Sequence, residues 1–396
     1  MPSVLQQTLA QLLLGNVPTA TLAAWTPMQW RQIVQHAHQE GVAPMLAHAL
    51  TAAHCREYLP PALWAQLHGS YLATLAENRL RYAALVGLLA QLPAAQLASP
   101  LPLIILKGSA LALTVYPDVG LRRMSDLDLL VLPALRSDLL RVCQQAGLQR
   151  VAMQPGIEQI TGQVQLTSDS YLLAMDLHWH LIAGEADRRA PALDWFYTQT
   201  APLTLPDSTI TVQHFTPTAH LLYLAAHLML RHAGTHLHLR WLYDLHLLIS
   251  HHPIDWRLLY RQAAVCGWLA SLHAALTATH ALFATPIPAG YLHGLESHTH
   301  TSPDYASVYT SQSLPATQTA RAWQQFAGLT WQGRLHLLGA LLFPSLEYLT
   351  WRYPLNLPPP LLLLYYPYRW LDILRDGAQT LAQLAATYWS QKELAR

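Results

Sequence analysis

Apolar residues recur every three or four positions through the N-terminal quarter of the chain. Trp30, Ile33, Val34 and Ala37 illustrate the spacing. Residues at this spacing share one face of an α-helix, so the pattern indicates amphipathic helices packed on a core. Prolines and a glycine interrupt the pattern several times, as expected where one helix ends and the next begins. We therefore predict a helical N-terminal region over residues 1–98.

Beyond this region the pattern changes to short, nearly continuous apolar runs, which are typical of buried strands. The clearest runs are PLIIL (102–106) and DLDLLVL (126–132). The pattern predicts a helix over 137–148 and further strands over 159–168, 171–181 and 208–215. These elements predict an α/β core over residues 99–215.

Helical spacing returns over residues 216–283. The segment 284–334 contains many proline, serine, threonine and histidine residues without a period, so we predict a loop or linker there. Apolar helical patterns follow over 335–396. The predicted fold class is α+β, with a mixed-sheet core flanked by largely helical N- and C-terminal regions.

The longest apolar stretches lie in the C-terminal region. Pro344, Glu347 and Pro367 interrupt them before they reach the length that spans a bilayer. We therefore predict no transmembrane segment. Buried core helices and helices that lie on a membrane surface both remain compatible with these stretches.

Composition narrows the possible partners and the compartment. Only 11% of the residues are charged against 52% hydrophobic, and the net charge is +1. Basic residues form no stripe, so a nucleic-acid groove is not predicted, although a short or structured RNA stays compatible. Cys55, Cys143 and Cys266 lie far apart, in no metal or redox spacing, and the N-terminus has no signal-peptide pattern. We expect a cytoplasmic protein.

Two aspartates interrupt the apolar run at 126–132. Successive side chains of a strand point to opposite faces, so Asp126 and Asp128 project to one side while the intervening leucines pack behind them. Two adjacent carboxylates repel each other unless a cation lies between them, and a hard divalent ion such as Mg²⁺, or Mn²⁺, fits oxygen ligands. The pair predicts a metal site. Taken alone, it also fits two solvated residues at a strand edge.

The residues after the strand at 102–106 are candidates for phosphate binding. Gly108 permits a tight turn and a close backbone approach, and Ser109 can cap a helix that begins at Ala110. The first amides of such a helix favour a bound phosphate. Lys107 adds a positive charge, although it also fits a strand-end residue that faces water.

The order of strand, Gly-Ser, helix and Asp-x-Asp strand resembles the polymerase-beta-like nucleotidyltransferase superfamily. The segments LKGSAL, RRMSDLDLLV and MDLHWHL are similar to those of a large, mostly uncharacterised bacterial nucleotidyltransferase family, over roughly residues 30–280. The resemblance implies a nucleotidyltransferase-type core and a third carboxylate on a neighbouring strand. Asp176 is the candidate, because an acid in an apolar strand is costly unless something binds it. Pairing with a nearby arginine or histidine is the alternative.

The resemblance further implies transfer of a nucleoside monophosphate from an NTP, with ATP expected, to an unidentified acceptor with release of pyrophosphate. Asp126 and Asp128 would hold two metal ions, and Asp176 the ion nearest the acceptor and the acceptor's proton. Ser109 and Lys107 would contact the β and γ phosphates. A phosphotransferase on the same fold and a non-catalytic nucleotide-binding or scaffold protein remain alternatives.

Several neighbouring residues keep more than one interpretation. Arg122 either contacts a phosphate or pairs with Asp118 or Asp126. His178 either orients a ligand, takes part in proton transfer, or donates a hydrogen bond to Asp176.

The helical region after the core contributes further candidates. Asp244 fits an ordinary helix pair with Arg240, four residues earlier, and also a role on the acceptor side. The 22 histidines do not predict zinc, because those over 227–252 scatter around several helix faces.

Overall fold

The structure is a computed structural model. It describes residues 3–92, 100–151, 161–168, 173–182, 193–232, 237–299, 326–353 and 358–375, together with residues 156, 158 and 378. The chain divides into two compact units. The first unit comprises residues 1–150, 164–182 and 191–313, and the second comprises 151–163, 183–190 and 314–396.

Helices dominate the first ninety residues, as predicted. Proline or threonine stands at several helix starts: Thr26 caps α3 by accepting from the Gln29 amide, and Pro27 takes the first helical position, where its missing N–H costs nothing. The helices are α1 (Val4–Leu13), α2 (Thr19–Ala23), α3 (Pro27–Gln39), α4 (Ala43–Ala52) and α5 (Pro61–Leu89), with a 3₁₀ turn at Arg56–Tyr58.

The core of the first unit is a mixed sheet. The described strands are β1 (Leu103–Ile105), β2 (Leu127–Val131), β3 (Gln149–Arg150), β4 (Gln163–Thr167), β5 (Ala174–His178), β6 (Thr200–Thr204) and β7 (Thr211–Phe215). They form one seven-stranded sheet in the order β3-β4-β5-β2-β1-β7-β6. Strand β1 is antiparallel to β2 and parallel to β7, and β2 is parallel to β5. The predicted α+β class is confirmed.

Two helices lie between the strands of the core, α6 (Lys107–Thr114) and α7 (Pro133–Gln145). Helix α7 begins four residues before the predicted helix at 137–148, because Pro133 starts its first turn. Strands β3 and β6 were not predicted. Their exposed or half-exposed residues lack the apolar run that marks a buried strand.

The two faces of the sheet cover two hydrophobic cores. Leu127, Leu129 and Val131 belong to a core that includes the C-terminal part of α5. Leu130, pointing the other way, belongs to the larger core that includes the helices after the sheet. Asp128 shares the orientation of Leu130, because residues two apart on a strand lie on one face. The predicted carboxylates therefore lie toward the helical half of the unit.

Helix α8 (Asp194–Thr198) lies between β5 and β6. The helices after the last strand are α9 (Pro217–His232), α10 (Leu239–His251), α11 (Trp256–Val265), α12 (Leu269–Phe283) and α13 (Tyr291–Thr299). Helix α9 packs on β7, α10, α11 and α12. Helix α13 lies inside the segment predicted as a loop or linker (284–334), so that prediction is wrong there. Leu295 of α13 is buried in the larger core. The proline and serine content of the segment does not reveal this burial. Residues 300–325 lie outside the described residues.

The second unit contains α14 (Trp331–Leu342), α15 (Leu346–Arg352) and a 3₁₀ segment at Pro359–Leu364. Helix α14 starts within the predicted linker. Residues 379–396, predicted helical, lie outside the described residues. No helix in the described part of the chain is both long and apolar enough to cross a membrane.

Candidate functional site

Asp128 and Asp176 lie side by side on neighbouring strands. Parallel pairing of β2 with β5 places Asp128 opposite Asp176, and Leu130 opposite His178. Because the pairing is in register, both carboxylates and the His178 ring lie on one face of the sheet. Ligand atoms of Asp128, Asp176 and His178 lie within 4.8 Å of one another. The strand carrying Asp176 is thus beside the Asp-x-Asp strand, as the resemblance implies.

Asp128 is the centre of the polar contacts. Its Oδ1 accepts hydrogen bonds from Lys107 Nζ at 2.7 Å and His178 Nε2 at 3.1 Å. Burial alone would raise the pKa of Asp128, but the Lys107 ammonium and the His178 hydrogen bond outweigh burial and hold it well below its usual range. A carboxylate only accepts, so the His178 Nε2 atom carries the proton. A hydrogen bond to Asp176 was one of the three roles left open for His178; its Nε2 bonds instead to Asp128, on the neighbouring strand β2.

Asp176 lies in a different electrostatic setting. Burial and then the charges of Asp128 and Asp126 raise the pKa of Asp176 to about 7. Two neighbouring carboxylates with pKa values shifted in opposite directions are typical of sites where one acid stays ionised and the other can exchange a proton near neutral pH.

Asp126 precedes β2 and is partly exposed, with Oδ1 accepting from the Ser125 hydroxyl at 2.9 Å. Burial and the neighbouring Asp128 charge raise the pKa of Asp126. Three acids that repel one another in this way favour a bound cation. The combination of carboxylate oxygens and an imidazole nitrogen fits a divalent metal ion.

The predicted phosphate turn differs from expectation. Helix α6 begins at Lys107, not at Ala110, and no side chain caps it. Ser109 therefore does not cap a helix. It lies inside the first turn, 1% exposed, and its hydroxyl accepts a hydrogen bond from the Asp128 amide at 3.0 Å. Its contact fixes the backbone of β2 at the carboxylate.

Lys107 and Gly108 are also constrained by packing. Lys107 has a left-handed backbone, with φ of 46°. It does not face water but pairs with Asp128, its side chain only 17% exposed. A Cβ on Gly108 would lie 3.3 Å from the Arg122 guanidinium, so glycine permits this close approach.

Arg122 pairs with neither Asp118 nor Asp126. Its Nε and Nη2 donate to the two oxygens of Asp244 at 2.8 and 2.7 Å, and Tyr116 donates to the same carboxylate at 2.7 Å. The predicted Arg240 and Asp244 helix pair is wrong, because Asp244 points into the core toward Arg122. Burial opposes the charge of Arg122, yet Asp244 raises its pKa. Arg122 supports the turn beneath Gly108.

Two residues of α9 lie on the same side of the sheet and were missed as site candidates. Tyr223 is 0% exposed and belongs to the core that contains Leu130. His227, one turn later, was considered only as a zinc ligand. A tyrosine and a histidine four residues apart on the buried face of an apolar helix are the signal that would have found them.

The described histidines over 227–232 and 237–252 form no group of three that could hold zinc. Within the described residues, the one group of three or more metal-binding side chains is that of Asp128, Asp176 and His178. His227, His232 and Trp241 form a chain of ring contacts, with centroids 5.2 and 4.4 Å apart. These rings pack as aromatic neighbours.

Comparison with known proteins adds one finding. A family model described as an uncharacterised nucleotidyltransferase matches residues 26–284, more than half of the chain. The matched segment includes β1, β2 and β5, hence every candidate residue described above. No curated protein and no solved structure matches the chain.

Proposed function

The chain belongs to the uncharacterised nucleotidyltransferase family, and from this premise we propose that it is a metal-dependent enzyme that transfers a nucleoside monophosphate from an NTP to an acceptor and releases pyrophosphate. The supporting observation is the register of β2 and β5, which brings Asp128 and Asp176 together with His178. ATP is the nucleotide we propose, and Mg²⁺ or Mn²⁺ the metal.

Asp126, Asp128 and Asp176 are the proposed metal ligands. When bound there, divalent cations would supply positive charge to both the attacking and the leaving oxygen. Lys107 holds Asp128 ionised in the metal-free protein. We also assign to Lys107 a contact with a phosphate of the nucleotide. His178 orients the Asp128 carboxylate through its Nε2 hydrogen bond.

The reaction is a substitution at the α-phosphorus. The acceptor oxygen forms a bond to this phosphorus while the bond to the bridging oxygen breaks and pyrophosphate departs. We assign the acceptance of the acceptor's proton to the Asp176 carboxylate. The acceptor is proposed to enter from the side of the helices α10–α12, which lie on the face of the sheet that carries the carboxylates.

The test is to incubate the protein with ATP labelled at the α or the γ phosphate, with Mg²⁺ and a host-cell extract. We expect the α label on an acceptor and free pyrophosphate. Asp126→Asn and Asp128→Asn should each lower transfer more than about a hundredfold, since changes around metal ligands already cost 10–100-fold. Asp138→Asn, an acid in an exposed pair with Arg141, is the matched control and should keep wild-type transfer.

Stability separates the two aspartates. The raised pKa of Asp126 means that its charge is unfavourable in the folded protein, so Asp126→Asn should melt at the same or a higher temperature. Asp128→Asn should melt lower, because Lys107 loses its partner. Transfer of the γ label with release of ADP would identify a phosphotransferase instead. Wild-type transfer by both aspartate variants would refute the metal site.

A further inference from the structure

Three buried side-chain polar atoms on α9 have no hydrogen-bond partner in the described part of the chain: His220 Nε2, the Tyr223 hydroxyl and His227 Nδ1. Of these residues, Tyr223 and His227 are ring neighbours. The two residues are four apart in sequence, and their ring centroids lie 5.9 Å apart. A buried polar atom without a partner costs free energy, so such atoms are uncommon in proteins unless a ligand or water meets them.

These groups face the candidate metal site. Tyr223 packs in the same core as Leu130 and Phe215, on the side of the sheet that carries Asp128 and Asp176. Burial raises the pKa of Tyr223, while the Lys107 charge opposes the rise, and Asp128 and Asp176 also act on the ring. The phenol therefore stays protonated and keeps a hydrogen to donate.

The charges around His227 are those that attract an anion. Burial lowers the pKa of His227 well below its usual value, and the neighbouring Lys107 and Arg231 cations add to this effect. The ring is neutral and can present an N–H. Two cations next to neutral donors suit phosphate oxygens better than a nucleobase or a neutral acceptor.

The residue that the sequence suggested for phosphate has a structural contact instead. The Ser109 side chain is 1% exposed, and its hydroxyl oxygen accepts from the Asp128 amide. The opposite side of the site, formed by α9, carries the unused donors. A metal-bound polyphosphate has one side toward the carboxylates and needs hydrogen-bond donors on the other.

We propose that Tyr223 and His227 bind the polyphosphate of the nucleotide on the side opposite the carboxylates, while Lys107 contacts it beside Asp128. This assignment rests on the proposed function and names the surface that recognises the leaving pyrophosphate. Arg231, one turn beyond His227, adds a positive charge in the last turn of α9.

Inorganic tripolyphosphate with Mg²⁺ is the probe, since it has no base and no α-phosphate ester. Calorimetric titration of the wild type, Tyr223→Phe and His227→Leu measures the dissociation constant, and Mg²⁺ alone and AMP are titrated in parallel. We expect tripolyphosphate binding to weaken about tenfold in each variant, the loss of one hydrogen bond to a charged group. AMP and Mg²⁺ alone should bind as in the wild type.

Tyr116→Phe is the matched control. Its hydroxyl is also buried but donates to Asp244 at 2.7 Å. This variant should melt at a lower temperature with unchanged tripolyphosphate affinity. Tyr223→Phe should melt at the same or a higher temperature with weakened affinity, because a hydroxyl without a partner is removed.

The inference would be overturned if Tyr223→Phe and His227→Leu both bound tripolyphosphate as tightly as the wild type does. The proposed function would still stand in that case, provided that the wild type transferred the α label. A loss of Mg²⁺ affinity equal to the loss of tripolyphosphate affinity would also overturn it, because the residues would then act through the metal site. Failure of the wild type to bind tripolyphosphate and every NTP would remove the proposed function as well.

Discussion

The backbone at Lys107 carries strain that its side-chain contact accounts for. A left-handed φ of 46° is unfavourable for a residue with a Cβ, by about 1 kcal/mol. The turn directs Nζ to 2.7 Å from the Asp128 carboxylate. Strained residues that persist in this way often lie at functional sites, where the surrounding structure holds them in place. The strain and the ion pair are consistent with Lys107 as a residue of the site.

At the same scale, Ser109→Ala tests the contact between the turn and β2. Removal of the hydroxyl leaves the buried Asp128 amide without its acceptor, which we expect to lower the free energy of unfolding by about 1–3 kcal/mol. Urea denaturation measures the change. Ser137→Ala, an exposed serine inside α7, is the control and should change stability by less than about 0.5 kcal/mol. An equal effect of the two variants would contradict the role of Ser109.

At the scale of elements, one ion pair joins α10 to the segment between α6 and β2. Asp244 lies on α10, 3% exposed, and Arg122 lies in the segment, 6% exposed. The side-chain amide of Asn78 on α5 donates to the Arg122 carbonyl at 2.8 Å, so a third element holds the same segment. The pair therefore fixes how the helices meet the strand that carries Asp128.

We expect Asp244→Asn to lower the free energy of unfolding by about 3–5 kcal/mol, because it leaves the Arg122 charge buried without its partner. The double variant Arg122→Met with Asp244→Leu should recover part of the loss, since no buried charge remains. Chemical denaturation of the single and double variants measures their free energies of unfolding, and the differences give the coupling energy between Arg122 and Asp244.

Asp138→Asn breaks the exposed pair with Arg141 and should cost less than about 1 kcal/mol. A loss from Asp244→Asn no larger than this control loss would show that the buried pair does not join the elements.

At the scale of the whole molecule, buried histidines govern the pH dependence of stability. Burial lowers the pKa of His220 to about 3 and that of His246 to about 4, from an ordinary value of 6.5. Burial also lowers the pKa values of His178, His227 and His232. In the unfolded chain these rings bind protons near pH 6.5, whereas in the folded protein they do not. Between the pKa of each ring in the folded protein and its pKa in the unfolded chain, the unfolded state therefore binds more protons than the folded state.

Stability is consequently expected to be fully retained above about pH 6.5 and to fall as the pH decreases, by up to about 1.4 kcal/mol per pH unit for each such histidine. The raised pKa values of Asp176, about 7, and of Asp126 act in the opposite direction in the metal-free protein, because the folded state keeps these protons to a higher pH than the unfolded chain. Five histidines outweigh these two aspartates, so the net slope is positive. Urea denaturation in EDTA between about pH 5 and pH 8 measures the slope of the free energy of unfolding against pH.

His220→Leu should reduce the slope, and His293→Gln, whose side chain is 89% exposed, should leave it unchanged. An identical slope in His220→Leu and the wild type would contradict the linkage assigned to His220.

The sequence alone determined the elements whose pattern is local. Continuous apolar runs located β1 and β2, and alternation along β2 placed Asp128 on the face opposite Leu127 and Leu129. Three-to-four spacing located the helices before and after the sheet. Burial of one face is a property of consecutive residues, so the period of the pattern reveals it without any knowledge of the fold. The resemblance to the family rested on the same short segments.

Only the tertiary structure decided which polar groups meet. The partner of Arg122 is Asp244, 122 residues away, and the partner of Lys107 is Asp128, 21 residues away. Ser109 proved to support β2, and Tyr223 packs from α9 into the core on the face of the sheet that carries Asp128. Hydrogen bonds and ion pairs depend on distances of about 3 Å between atoms that the packing of separate elements brings together, and no period along the chain encodes such distances.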